Sequence, residues 1–285
     1  MDFRTVIEPI KTQLRLCHDR PVLLLGSCFS DEIGERLYAD GFDVLHNPFG
    51  ALYNPISIAN CVRRCSRGEH YTQADLTAGP RGWHCLDYAS RFSGIDAETL
   101  LAELNRTFGE VCAMLQRNPM VIITLGSAYV YRHKALGKVV GNCHKFPASD
   151  FEYELISPGE ARSALGEICQ DLATLGIADI LFTISPIRHL AYGLHGNSLS
   201  KAILQLAVND VCRDLNGVEY FPSFEIMLDD LRDYRFYARD MKHPSDVAVD
   251  YIYGIFCGTY MDNACRSAAE ACRRSFKASQ HRQIL

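Results

Sequence analysis

Two stretches of the chain are apolar almost without a break, Pro21–Gly26 (PVLLLG) and Met120–Leu125 (MVIITL), and a third, Asp179–Ile184, is stopped by Ser185-Pro186. Short runs of this kind, ended by Gly or Pro, fit strands buried on both faces of a parallel sheet. Between them the pattern changes to helical spacing. Ser30–Asp40 carries Ile33 and Leu37 four apart, with acidic residues in its first turn. Ile56–Arg67, Asp96–Gln116, Ser157–Leu175 and Ser198–Asn216 also read as helices, and Pro244–Cys257 as a helix beginning just after its proline. Phe42–Leu45 and Val218–Phe221 read as further strands, and Ser223–Leu231 as helical. Asn47–Pro55 (NPFGALYNP) is a loop by its Asn, Pro and Gly content. Arg81–Ser93 is irregular and rich in polar and aromatic groups. A hairpin turn is expected at Leu136–Gly137, followed by a loop to Ser149.

Strand and helix alternate along the chain, which predicts an α/β fold with a mostly parallel sheet covered by helices on both faces. No internal repeat or linker interrupts it. The simplest account is one α/β domain over residues 1–260 with insertions, then a mostly polar helical tail over 261–285 with a basic end. In such sheets ligands bind beyond the carboxyl ends of the strands. The informative residues should therefore follow Gly26, Leu125 and Ile184.

Composition narrows the class. Hydrophobic residues make up 48% of the 285 and charged residues 22%, ample for a core. The formal charge of −5 argues against a dedicated nucleic-acid binder. No segment reaches the ~18 apolar residues of a membrane span, and the N-terminus lacks the pattern of a signal peptide. The 12 cysteines are scattered with no CxxC pair. Free thiols in a cytoplasmic protein are expected rather than a disulfide framework or a zinc cluster. No metal or other cofactor is expected.

Gly26-Ser27-Cys28 follows a buried strand and opens a helix. A thiol at a helix N-terminus is expected to have a lowered pKa and to be nucleophilic; the bland alternative is a junction of small residues chosen for fit. Asp240-Met241-Lys242-His243-Pro244 places Asp and His three apart. The carboxylate can fix the imidazole while its other nitrogen deprotonates a nucleophile, although such short spacings also arise by chance. Gly50, Asn142, His144, Arg188 and His189 lie in loops suited to oxyanion donors or substrate contacts, each weak alone.

These segments resemble the GSCFA family. LLLGSCFSDEIGERL, NPFGALYNP, ITLGSAYVY, GNCHK, ISPIRHL and FPSFEIMLDDLRDYRFYARDMKHPS carry the resemblance, over roughly residues 1–260. The family is grouped with the SGNH/GDSL hydrolases. That implies a three-layer α/β/α, flavodoxin-like fold and cleavage or transfer of esters. In the wider superfamily a Gly-Asp-Ser block supplies the nucleophile. Aligned on Gly26, it puts Cys28 at the nucleophile, or Ser27 if the turn shifts by one. Gly50 matches the oxyanion glycine. The Gly-x-Asn-Asp block reads Gly126-Ser127-Ala128-Tyr129 here, so its Asn is missing, and Asn142 is the candidate substitute. Asp240 and His243 match the Asp-x-x-His block. The resemblance implies an esterase or acyltransferase acting on a small-molecule or glycan ester, such as an O-acylated carbohydrate or a cell-envelope precursor. Two other readings stand beside it. One is a non-catalytic carbohydrate- or metabolite-binding module on the same scaffold. The other is a scaffold with a reversibly oxidised Cys28. Neither substrate nor oligomeric state is legible.

Overall fold

The computed structural model describes residues 4–7 and 10–282, with side chains through residue 279. In chain order the strands are β1 (Val22–Gly26), β2 (Val44–His46), β3 (Thr77–Gly79), β4 (Gly82–His84), β5 (Ser93–Gly94), β6 (Met120–Leu125), β7 (Tyr129–His133), β8 (Lys138–Val140), β9 (Phe151–Leu155), β10 (Ile180–Ile184) and β11 (Val218–Phe221). The principal helices are α1 (Phe29–Ala39), α2 (Pro55–Arg67), α3 (Ala97–Leu115), α4 (Pro158–Thr174), α5 (Gly193–Asp214), a short α6 (Ser223–Glu225), α7 (Asp246–Tyr260) and α8 (Asn263–Arg282).

The central sheet has the order β11-β10-β6-β1-β2, and every pairing in it is parallel. Counting only its own strands, that is the doubly wound flavodoxin-like order, with the reversal between β1 and β6. The unbroken apolar runs are explained by burial on both sides. Leu23, Leu25, Val121, Ile123, Phe182 and Ile184 face the layer containing α2, α4 and α5, while Val22, Leu24, Met120, Ile122 and Leu181 face α1 and α7. Each such side chain contributes roughly 1.5–3 kcal/mol by leaving water. The helices match by periodicity: Phe29, Ile33 and Leu37 bury one stripe of α1.

The helix ends follow the sequence signals. Asn54 caps α2 by accepting Ser57 N–H at 2.8 Å, and Gly68 closes it in the left-handed conformation. Ser157 and Glu160 form a capping box ahead of α4, with Pro158 at its first position. Arg81–Ser93, expected to be irregular, carries β4 and the start of β5, and two of the expected helices differ in extent or type. α5 begins at Gly193, five residues before Ser198. The segment expected as a helix over Ser223–Leu231 has only one α turn and then a wider π turn over Ile226–Leu231. The wide turn brings Asp230 inward, where it accepts from Tyr251 Oη at 2.7 Å and Arg4 Nε at 2.6 Å.

Two antiparallel additions extend from the sheet's carboxyl side. One is β3-β4-β5 and the other β8-β7-β9, which contains the expected hairpin turn. The aromatic segment Arg81–Ser93 serves mainly as a core here. Tyr88 stacks on Phe49 with ring centroids 4.0 Å apart, and both are buried with Phe92. The C-terminal α8 docks on the α1/α7 layer through buried Cys265 and Ala269. Arg273 of α8 pairs with the buried carboxylate of Asp40. Among the described residues, no helix is long and apolar enough to cross a membrane.

Candidate active site

The turn after β1 requires glycine. Gly26 has φ +133°, and a Cβ there would lie 2.1 Å from Thr124 O of β6. Asn47, just after β2, fixes the same turn from the other side. Its Oδ1 accepts Gly26 N–H at 2.9 Å, and its Nδ2 donates to Ser27 O at 3.1 Å and to Asp31 Oδ2 at 2.9 Å. The two residues after Gly26 then diverge. Ser27 is buried, and its Oγ accepts Phe29 N–H at 3.3 Å. Cys28 is the half-buried N-cap of α1, and among the described residues its N–H has no protein acceptor.

Cys28 Sγ lies 3.8 Å from His243 Nε2, 215 residues downstream. On the other side of that ring, His243 Nδ1 is 2.6 Å from Asp240 Oδ2. Asp240 Oδ1 also accepts Lys242 N–H at 2.9 Å and His243 N–H at 3.0 Å, so one carboxylate folds the loop and orients the imidazole. Met241 sits at φ +58° within this tight turn. Arg188 braces the loop. Its N–H donates to Lys242 O at 3.0 Å and its Nη1 to Met241 O at 3.2 Å, and its guanidinium lies over the rings of Tyr234 and Tyr237. The site is open on one side: the His243 side chain is 50% exposed.

The electrostatics reverse one expectation. Burial pushes the Cys28 thiol above the ordinary thiol range, and the Asp31 carboxylate adds to the rise. The acidic first turn of α1 opposes the helix dipole that was expected to lower it. Cys28 is therefore a neutral thiol at rest that needs a base. Hydrogen bonds from the His243 side chain and from the backbone N–H groups of His243 and Lys242 hold the Asp240 carboxyl far below the usual range. The Tyr53 hydroxyl, beside the Cys28 thiol, is pushed up by burial to about 12 and stays a donor.

Several expected contacts fall elsewhere. Gly50 is at φ +78° with its N–H donated to Asn47 O at 2.7 Å, so it has no free donor; its missing Cβ leaves room for Ala89. Asn142 accepts His144 N–H at 2.8 Å, and among the described residues no hydrogen bond joins it to Cys28 or His243. His144 is only 6% exposed, with Nε2 3.0 Å from Tyr88 O and its ring edge-on to His84, so it belongs to the insertion's core. Arg188 is committed to the His243 loop rather than to an open pocket. His189 is exposed and stacks on Tyr192 at 5.7 Å. Ser27 points away from His243 into the turn. The turn after β6 is tied down: Gly126 N–H and Ser127 N–H both donate to Tyr53 O at 2.8 Å.

Sequence reading passed over Asn47, Asp31 and Tyr53. Two of them lie in the NPFGALYNP loop, whose length and composition marked it only as a loop. Asp31 bridges Asn47 and His46, its Oδ1 2.9 Å from His46 Nδ1, and this raises the His46 pKa. Among the described residues, no group of three or more His, Cys, Asp and Glu side chains is placed to hold a metal ion.

A family model described as the GSCFA family matches residues 21–256 of the chain. No curated protein matches it. Among solved structures the chain is similar to a Clostridium thermocellum family 3 carbohydrate esterase, at 11% sequence identity and a TM-score of 0.37, covering 88% of this chain and 98% of that one.

Proposed function

The chain belongs to the GSCFA family, and from that premise and the geometry at Cys28 we propose that it cleaves or transfers an ester or thioester through Cys28, His243 and Asp240. The observation that carries this reading is the linear arrangement of Cys28 Sγ, the His243 ring and the Asp240 carboxylate, with separations of 3.8 Å and 2.6 Å. It stands at the carboxyl ends of β1 and β6, beside the reversal in strand order.

The chemistry follows from the protonation states. Cys28 begins as a thiol. As Sγ bonds to the substrate carbonyl carbon, His243 Nε2 takes its proton, and Asp240 stabilises the imidazolium without accepting a proton. The carbonyl oxygen becomes an oxyanion. The Cys28 N–H and the Tyr53 hydroxyl are the donors placed beside the sulfur. Collapse expels the alcohol or thiol, which receives its proton from His243, and leaves an acyl group on Cys28. Water or another acceptor, deprotonated by His243, then releases the acyl group. The 3.8 Å gap is looser than a working hydrogen bond, as catalytic contacts often are before substrate binds. An O-acylated carbohydrate or cell-envelope precursor is the substrate class we favour, because the open side of His243 leaves room for a large alcohol.

Hydrolysis of p-nitrophenyl acetate tests the reading. Wild type and Ser27→Ala should turn over. Cys28→Ala and His243→Ala should lose on the order of 10³-fold or more. Retained turnover in Cys28→Ala would remove Cys28 from the mechanism. A wild type inert to simple and glycan-bound esters, yet binding the glycan equally without His243, would leave a binding module in its place.

A further inference from the structure

Lys201 stands inside the molecule on α5, at 2% exposure, where a lysine is least expected. Its Nζ donates to Gly126 O at 2.8 Å and to Ser185 O at 2.7 Å, the carbonyls just beyond the ends of β6 and β10. The Phe224 ring lies 5.6 Å from Nζ, and among the described residues no carboxylate pairs with it. The preceding residue works on the same turn: Ser200 Oγ accepts Ala128 N–H at 2.7 Å and lies 3.3 Å from Ser127 Oγ. Together they anchor the Gly126–Ala128 segment, and Gly126 packs against Ser27, the residue before Cys28: a Cβ on Gly126 would lie 3.3 Å from Ser27 Cβ.

We propose that Lys201 is a positioning residue that ties the carboxyl ends of β6 and β10 together beside Cys28 and offsets the negative charge that forms when the Cys28 sulfur loses its proton. This rests on the reading of Cys28 as the nucleophile. Two carbonyls satisfy an ammonium's hydrogen bonds but do not neutralise it, and an unpaired buried charge is costly. Burial accordingly lowers the Lys201 pKa to about 7, and a negative charge at Cys28 acts in the opposite direction. Such coupling is reciprocal: a protonated Lys201 makes the Cys28 thiolate easier to form. The other ionisable groups around Lys201 on neighbouring elements are few. His189 follows β10 and feels the lysine's charge. Tyr129 approaches Gly196, about a turn earlier on α5, and Glu225 bonds Gln205, a turn later.

The test measures Cys28 alkylation by iodoacetamide as a function of pH in wild type, His243→Ala and Lys201→Met. An ordinary thiol gives a logarithmic rate that rises linearly with pH until it titrates. A charged neighbour that loses its proton near pH 7 puts a flattened step in that line. The step should persist in His243→Ala and vanish in Lys201→Met, with Cys28 alkylated roughly tenfold more slowly at pH 6 in the latter. Carbon-13 NMR of the ε-carbons supplies a reading that needs no Lys201 variant. One of the 7 lysines in wild type should titrate near 7, far below the others. Every lysine titrating in the ordinary range, or a His243→Ala profile with no step, would overturn the proposal. A Lys201-dependent step with no effect of His243→Ala on ester turnover would instead sink the Cys28–His243 mechanism and leave the lysine's role standing.

Discussion

Asn47 Oδ1 accepts the N–H of Gly26 at 2.9 Å, across the gap between β2 and the turn that presents Cys28. One buried amide thus satisfies a backbone donor at the glycine, a backbone carbonyl at Ser27 and a carboxylate on α1. Asn47→Ala would leave the Gly26 N–H buried without a partner, while Ser27 O keeps the Ser30 N–H and Asp31 keeps His46. The expected cost is about 2 kcal/mol or more in urea unfolding, with slower alkylation of Cys28 because the turn loosens. An unchanged midpoint of unfolding would show that water replaces the amide without penalty.

The raised pKa of Cys28 has a defined sign. Its thiolate is scarce at neutral pH and grows only above the ordinary thiol range, so alkylation in His243→Ala should titrate with a midpoint above 9. Asp31 is one cause, and Asp31→Asn should bring that midpoint down. A midpoint below 8.5, the value of a free thiol, would mean that the helix N-terminus outweighs burial after all.

Asp240 orients the His243 imidazole and stays ionised far into acid. Its carboxyl is depressed in the folded protein, so whatever it contributes is present above the ordinary carboxylate pKa, near 4, and is lost only as the pH falls through its lower folded value. Asp240→Asn should therefore lower ester turnover by on the order of 10³-fold at every pH between about 5 and 8. Unchanged turnover in Asp240→Asn would show that the carboxylate does not serve the His243 imidazole.

Asp40 is fully buried at the end of α1. Arg273 Nε donates to its Oδ1 at 2.6 Å and Tyr253 Oη to its Oδ2 at 2.8 Å. Removing one partner of a buried pair costs up to about 3–5 kcal/mol. The Arg273 side chain is 40% exposed, so solvent screening reduces this to roughly 1–3 kcal/mol for Arg273→Ala. Chemical denaturation would measure it. No loss of stability would mean that α8 is an ornament on the fold rather than a member of its second core.

By itself the sequence determined the five strands of the central sheet and the chain order of the candidate chemistry. PVLLLG, MVIITL and the run before Ser185-Pro186 read as strands covered on both faces, because apart from Thr124 and Thr183 nothing polar within the strands offers a side to water. Gly26-Ser27-Cys28 and Asp240-x-x-His243 were legible because their chemistry is local: a glycine turn at a strand end, and a carboxylate three residues from an imidazole. Tertiary structure decided the rest. Which of Ser27 and Cys28 faces His243 depends on how the turn leaves β1, which Asn47 sets from another strand. Gly50 matched a pattern, yet its N–H was already committed to Asn47, and His144 looked like a loop histidine until Tyr88 and His84 enclosed it. The thiol's pKa followed burial and Asp31 rather than its place at a helix start. Lys201 gave no signal at all, since a lysine on a helix reads as solvent-facing. Burial is a property of what packs around a residue, and only the assembled sheet supplied the two carbonyls, from Gly126 and Ser185, that hold it inside.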